Sequence, residues 1–410
     1  MPARRATPRW PLYAVAAAWI ALGWLNLARG SAHPGVAYRP WAFDHHSYSD
    51  LLAMGGDRYF AGGRPVPYVE DRVEYPPLLA LALWLPSFVS GRPLGYFTAG
   101  YLLLAACGLL AIAALDRIRG AAAWWLAGTP ALFYYAGLNW DLLPIALLTA
   151  AVLALERRRF ATAGVLVALG TSAKLWPISL LPVAAGVLLR RGDGRALARL
   201  AIAAVVVFAA VNVPVAAVAP AGWGWFWRFN AQRGAENSIW EVLRRWAPAA
   251  HLASDPAFLN AASGAALAAA VAWAVAAGLR RAAGPQGPAD RDALLVRLGA
   301  ALIVVVWIAT NKVWSPQYAL WACAAGALAA APPWLFALHA VLAAVDYHVA
   351  FEARASRGLV RYFDATYTAE ELVRFAAYAA LAAWIARALR RAARAPASAP
   401  VRAVDPGAPA

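Results

Sequence analysis

Ionisable residues are sparse in this chain, so those lying between its apolar runs are the ones whose chemistry needs a reason. A first group falls between Trp41 and Pro77, a polar, aromatic and acidic stretch holding Asp44, His45, His46, Asp50 and Glu74. A carboxylate at the edge of a water-poor pocket is a stronger base than one in bulk water and can take the proton of an attacking hydroxyl. Asp50 and Asp44 are the candidates for that work. The structural alternative for Asp50 is plain, since Ser49-Asp50 also has the chemistry of a helix cap ahead of an amphipathic Leu51–Phe60. Glu74 either orients its loop or binds a hydroxyl, while Pro76-Pro77 sets an extended entry into the next segment. His45 and His46 are adjacent, so their rings do not converge on one metal as an i, i+4 pair would, and no metal site is expected.

The second group is cationic. Of 37 basic residues only Lys174 and Lys312 are lysine, so arginine serves wherever a generic positive charge will do. Both lysines stand at the ends of apolar runs, where a long cation either snorkels to the interface or presents a point charge to an anion such as a phosphate. Asp141, Arg233, Glu236, Gln317 and Tyr318 fall at comparable positions between apolar runs.

Composition names the elements that must position these groups. The chain is 62% hydrophobic, only 14% charged and has a mean hydropathy of +0.55. Apolar runs of roughly 15 to 22 residues recur along it, the pattern of an all-α polytopic membrane protein. The net charge of +16 comes from short arginine clusters between runs and not from a continuous basic face. Nucleic acid is therefore not an expected partner. Cys107 and Cys323 both fall inside apolar runs, which excludes a disulfide framework. Trp10–Ala28 lacks a small-residue cleavage motif and reads as a first span, not a removed leader.

Arg4, Arg5 and Arg9 precede that span, so the positive-inside rule starts the chain in the cytoplasm and delivers a first loop, 30–77, to the outer side. Leu78–Val89, interrupted by Pro86, is too short to cross a core of about 30 Å and reads as a half-buried or re-entrant helix. Alternation of arginine clusters with apolar runs then gives about twelve spans with both ends cytoplasmic. The expected organisation is one multispan domain over 1–395 and a disordered tail at 396–410. On this topology every candidate listed above lies on the outer side.

Five stretches carry a family resemblance. They are SYSD with GGRPVPYVEDRVEYPPL (47–78), GLNWDLLPIALL (137–148), GVLVALGTSAKLWPISLLP (164–182), FNAQRGAENSIW (229–240) and NKVWSPQYALW (311–321). In this order they resemble the polyprenol-phosphate-dependent glycosyltransferases of family 87, membrane enzymes of the C-type glycosyltransferase fold. The resemblance implies a cell-membrane enzyme with an outward-facing site. It would transfer a hexose, mannose first, from a polyprenyl-phosphate-sugar donor to a glycolipid or glycan acceptor with inversion, and without a nucleotide or other cofactor. It puts the general base on Asp50, with Asp44 second, and sets Lys174, Arg233 and Lys312 around the lipid phosphate. Tyr75, Asp141, Glu236 and Gln317 match positions that shape the pocket or bind the sugar, with His348 and Glu352 further candidates at the last outer loop. Arabinofuranosyl transfer by the same mechanism is the enzymatic alternative. A polytopic lipid or solute transporter is the other class, although no internal repeat supports it.

Overall fold

The structure is a computed structural model that describes residues 9–60, 63–246, 251–280, 289–362 and 364–394. Arg4, Arg5 and the 396–410 tail lie outside them. Among the described residues the fold is all α, with two isolated β-bridges and no strand.

The first helix, α1 (Trp10–Ala28), leads into the first loop, which is folded and not open coil. It holds two short helices, α2 (Tyr38–Asp44) and α3 (Asp50–Arg58). The expected half-helix follows as α4 (Pro77–Trp84) and α5 (Pro86–Val89), divided where Pro86 interrupts the backbone ladder. After it come α6 (Pro93–Arg119), α7 (Trp124–Ala127), α8 (Ala131–Tyr135), α9 (Leu142–Glu156), α10 (Phe160–Ala173), α11 (Leu180–Arg191) and α12 (Gly194–Val218). The second half holds α13 (Pro220–Gln232), α14 (Ile239–Trp246), α15 (Pro256–Leu279), α16 (Ala289–Thr310), α17 (Tyr318–Ala329), α18 (Pro333–Glu352) and α19 (Ala365–Arg394).

Seven segments are long and apolar enough to cross a membrane: Trp10–Ala32, Pro93–Ala127, Gly194–Val218, Pro256–Leu279, Asp290–Thr310, Pro333–Glu352 and Ala365–Arg394. The remaining five expected spans are shorter. The helices α9, α10 and α17 fall in the range of 10–17 residues, which at 1.5 Å per residue does not reach about 30 Å. The stretch expected to cross at 121–138 is broken at Thr129-Pro130 into α7 and α8, and the one at 175–189 opens with a 3-10 turn at Trp176–Ser179.

Burial orders the helices from centre to rim. The Asp290–Thr310 span buries 67% of its apolar window and is packed by α15, α17 and α19, whereas Gly194–Val218 buries 11% and lies at the rim on α10. Exposed Ile202, Val205, Val206 and Val213 on α12 and Leu102 and Leu110 on α6 would be untenable in water and belong in hydrocarbon. Close helix contacts use small residues: a Cβ added at Gly164 on α10 would lie 2.3 Å from the Leu200 carbonyl of α12.

Ion pairs sort into two ends of the bundle. Arg9–Asp116, Arg158–Asp193, Arg297–Glu156 and the pair of Arg190 and Arg191 with Asp292 join the interhelical turns of one end. The first loop, the Lys174 and Lys312 turns and the 353–364 loop gather at the other, which carries most of the chain's 21 carboxylates.

Candidate active site

Asp50 sits in the first turn of α3, and its neighbour resolves the capping question. The Ser49 hydroxyl accepts from Leu51 N at 3.2 Å and donates to Gly137 O at 2.5 Å, so Ser49 is the cap and Asp50 is not needed for it. The Asp50 backbone N–H donates to Leu138 O at 2.7 Å, tying this turn to the break between α8 and α9. Its carboxylate then accepts from two side chains, Tyr48 OH at 2.9 Å and Asn139 Nδ2 at 2.7 Å.

Asn139 is the hinge of the arrangement. Its amide nitrogen also contacts the Tyr75 hydroxyl at 3.0 Å, and its Oδ1 accepts from Trp140 N at 2.7 Å and from Lys174 Nζ at 3.2 Å. Lys174 leaves the end of α10 in extended conformation and places Nζ 2.7 Å from Asp141 Oδ1. Asp141 is fully buried and accepts from Trp321 Nε1 at 2.6 Å as well; its Oδ2 has no partner among the described residues. The Lys174 ammonium also lies 5.9 Å from the Tyr75 ring and 5.5 Å from that of Trp321. Tyr48, Asp50, Tyr75, Asn139, Asp141, Lys174 and Trp321 thus form one contiguous polar chain drawn from five separate parts of the sequence.

Asp50, Tyr75 and Lys174 are surrounded by protein yet keep partial solvent access. Burial is the main cause that holds the Asp50 carboxyl above its ordinary range, against the opposing hydrogen bonds from Asn139 and Tyr48 and the charge of Lys174. Burial likewise pushes the Tyr48 and Tyr75 hydroxyls well up, so both stay protonated as donors at neutral pH.

A second group adjoins the first through Tyr318, whose ring stacks on Trp321 with centroids 4.1 Å apart and which lies in the field of Asp141, Arg233 and Glu236. Glu236 and Val313 form a short parallel bridge, with Glu236 N donating to Lys312 O and Trp314 N to Glu236 O, each at 2.9 Å. Arg233 pairs with Glu236 at 2.5 Å, and Lys312 Nζ donates to Ala231 O at 3.2 Å. Lys312 has no carboxylate within ion-pair distance among the described residues. Burial first, and then the charge of Arg233, depress its ammonium below the ordinary lysine value. Gln317 is buried at the start of α17, beside Tyr318.

The two lysines therefore differ. Lys174 is paired with Asp141 and Arg233 with Glu236, whereas Lys312 has no carboxylate partner among the described residues and leaves the second group with a net positive charge. The two lysines expected around one anion thus sit in adjoining groups with different partners.

Asp44 stands outside both groups. Its oxygens accept from Ser356 N and Ser356 Oγ, each at 2.6 Å, so this exposed carboxylate staples the 353–364 loop to the first loop, and these bonds hold its carboxyl below the usual range. Glu74 faces Arg58 at 3.6 Å, and Arg58 also pairs with Asp71, which spends Glu74 on orienting its own loop. His45 stacks on Trp41, whereas His46 turns away, its Nδ1 2.9 Å from His348 Nδ1 and its Nε2 3.1 Å from Glu352. Among the described residues no set of three or more His, Cys, Asp or Glu could hold a metal ion.

Sequence reasoning gave no role to Asn139, Tyr48 or Trp321. Asn139 announces itself only as the polar residue beside Asp141 in a turn, and the other two look like interfacial aromatics. No family model matches the chain, and no curated protein matches it.

Proposed function

We propose that the protein is a membrane glycosyltransferase of the C-type fold. It would take a hexose, mannose first, from a polyprenyl-phosphate-sugar and pass it to a hydroxyl of a glycolipid or glycan at the outer face of the cell membrane. In this reading the shorter helices α9, α10 and α17, with the two segmented stretches, complete a bundle of about twelve crossings. The observation that carries the proposal is the Tyr48–Asp50–Asn139–Lys174–Asp141 chain. It sets one carboxylate of raised basicity, with partial solvent access, in a polar chain that adjoins, through Trp321 and Tyr318, the group holding Lys312, which has no carboxylate partner among the described residues.

Asp50 accepts the proton of the acceptor hydroxyl as its oxygen bonds to the anomeric carbon. The bond from that carbon to the phosphate oxygen breaks on the opposite face, so configuration inverts, and polyprenyl phosphate leaves with the electron pair. Asn139 and Tyr48 fix which Asp50 lone pairs stay free. Lys312 and Arg233 stabilise the charge that gathers on the departing phosphate, and their preorganisation by backbone bonds makes that help available without rearrangement. Tyr75, Tyr318 and Gln317 line the space between base and cations, and Asp141 holds Lys174 in place.

The test is transfer of radiolabelled mannose from synthetic polyprenyl-phosphate-mannose to host lipid and glycan extract. Asp50→Asn is expected to lose about 10²- to 10⁴-fold of the rate, and Asp44→Asn to stay within a few-fold of wild type. Activity in Asp50→Asn comparable to wild type would remove the base assignment. If wild type transfers neither mannose nor arabinose from such donors, the enzyme reading gives way to a transporter.

A further inference from the structure

Beneath the Arg233–Lys312 group lies a buried polar network that the proposed chemistry does not use. Its centre is Arg374, 5% exposed and about two and a half turns inside the first-loop end of α19. Nη1 donates to Asp346 Oδ1 on α18 at 2.5 Å and to Glu370 Oε2 at 2.9 Å. Nη2 donates to Asn237 O at 2.9 Å, and the guanidinium plane lies 3.5 Å from the Trp314 ring centroid. One side chain thus grips the residue that follows Glu236 and the residue two after Lys312.

Asn237 needs that grip. Its backbone is left-handed, at φ 50, a conformation in which a non-glycine residue persists only when its surroundings over-determine it. All three of its polar groups named here are engaged: N–H to Glu241 Oε2 at 2.6 Å, the carbonyl by Arg374, and Oδ1 by Tyr367 OH at 2.5 Å. On the other flank Glu236 is bonded to Lys312 and Trp314. Arg233, Glu236 and Lys312 therefore hang from two fixings, the bridge itself and the Arg374 network. Asp346 and Glu370 supply the counter-charge without which a guanidinium would not stay buried. A planar fork that serves two carboxylates and a carbonyl while stacking on an indole is a task for arginine and not for lysine.

We propose that Arg374, with Tyr367, is a positioning residue that sets the geometry of the Arg233–Lys312 cation pair; that the pair binds a lipid phosphate rests on the transferase reading above. The experiment compares wild type, Arg374→Lys, Tyr367→Phe and a control, Arg291→Lys, in detergent. Arg291 is equally buried but bonds Ala392 O and Ala393 O at the far end of the bundle. Binding of decaprenyl monophosphate, donor KM and kcat, and amide exchange at Glu236 and Trp314 are measured on each.

The expected result for Arg374→Lys is binding weaker by about tenfold, a matching rise in donor KM, and faster exchange at both amides. Tyr367→Phe shifts all three in the same direction by less, and Arg291→Lys lowers thermal stability without moving them. Binding and KM within twofold of wild type in Arg374→Lys overturn the proposal, as does an equal effect in Arg291→Lys. If Arg374→Lys does not fold, Tyr367→Phe decides by the same twofold limit. A wild type that neither binds decaprenyl monophosphate nor transfers sugar, while the amides still lose protection in Arg374→Lys, sinks the transferase reading and leaves the anchor standing.

Discussion

At the scale of single residues, the two groups of the site titrate in opposite senses, and their shifts fix a pH profile. In the proposed reaction Asp50 acts only when ionised, and burial raises its carboxyl above the usual range, so the acid limb of transfer should lie higher than an ordinary aspartate would give. The same shift means that ionising Asp50 costs the folded state: its contribution to stability is present below the ordinary carboxylate value and is lost as pH rises through the shifted one. In the same reaction Lys312 acts only when protonated, and burial with the charge of Arg233 lowers its ammonium, so activity should fall on the alkaline side earlier than for a free lysine. Initial rates from acid to alkaline pH should trace a bell, and Lys312→Arg should move the alkaline limb upward because guanidinium keeps its proton. An alkaline limb unmoved in Lys312→Arg would take Lys312 out of the chemistry. Asp50, Asp141, Lys174 and Lys312 stood out in the sequence because a charge bordering apolar runs is costly, and the first three meet through Asn139. Asn139 was not, since an asparagine in a turn has a local explanation. Asp346, Glu370 and Arg374 carried a usable signal, an acid inside an apolar run and an i, i+4 acid–base pair opening another.

At the scale of elements, the site depends on α10 reaching its end at Lys174 in the right place, and α10 is located by how closely it packs on α12. Lipid tails are as apolar as leucine, so this contact is held by backbone proximity and not by expulsion of water. Gly164 is where the two helices meet: an added Cβ would lie 2.3 Å from Leu200 O and 3.0 Å from Ala204 N, backbone atoms that do not yield as a flexible side chain would. Gly164→Val should therefore destabilise by about 1–3 kcal/mol and disturb the Lys174 turn, lowering the melting temperature and transfer together. Gly194→Ala, at a position with open space around it, should change neither. Equal melting temperatures for the two variants in detergent would contradict this account of the α10–α12 contact. The half-helix at Leu78–Val89 was readable because its length and Pro86 agree. The break inside 121–138 was not read, although Thr129-Pro130 marks it, because an apolar run of span length outweighed one proline; the Thr129 hydroxyl meets the Ala131 N–H at 3.2 Å, easing the turn.

At the scale of the whole molecule, the two ends of the bundle differ in charge balance, and that difference sets an orientation. The end built from the 116–120, 156–159 and 190–195 turns, Arg280, the start of α16 and the last turns of α19 carries clustered arginines with few acids. The first-loop end carries arginines too, but with many more carboxylates, several of them in ion pairs: Arg58 with Asp71 and Glu74, Arg233 with Glu236, Arg244 with Glu241, Arg245 with Glu371, Arg374 with Asp346 and Glu370. By the positive-inside rule uncompensated positive charge stays on the cytoplasmic side, which supports the proposed reading in which the first-loop end, with Asp50 and the cation pair, faces outward. Cysteine labelling tests this with low background, because Cys107 and Cys323 are both free and buried. Leu359, 93% exposed in the 353–364 loop, and Arg195, exposed in the first turn of α12, are the reporters. A membrane-impermeant maleimide should modify Leu359→Cys in intact cells and Arg195→Cys only after permeabilisation. The reverse pattern would place Asp50 and the cation pair at the inner face, where a donor and acceptor of the outer leaflet do not reach them.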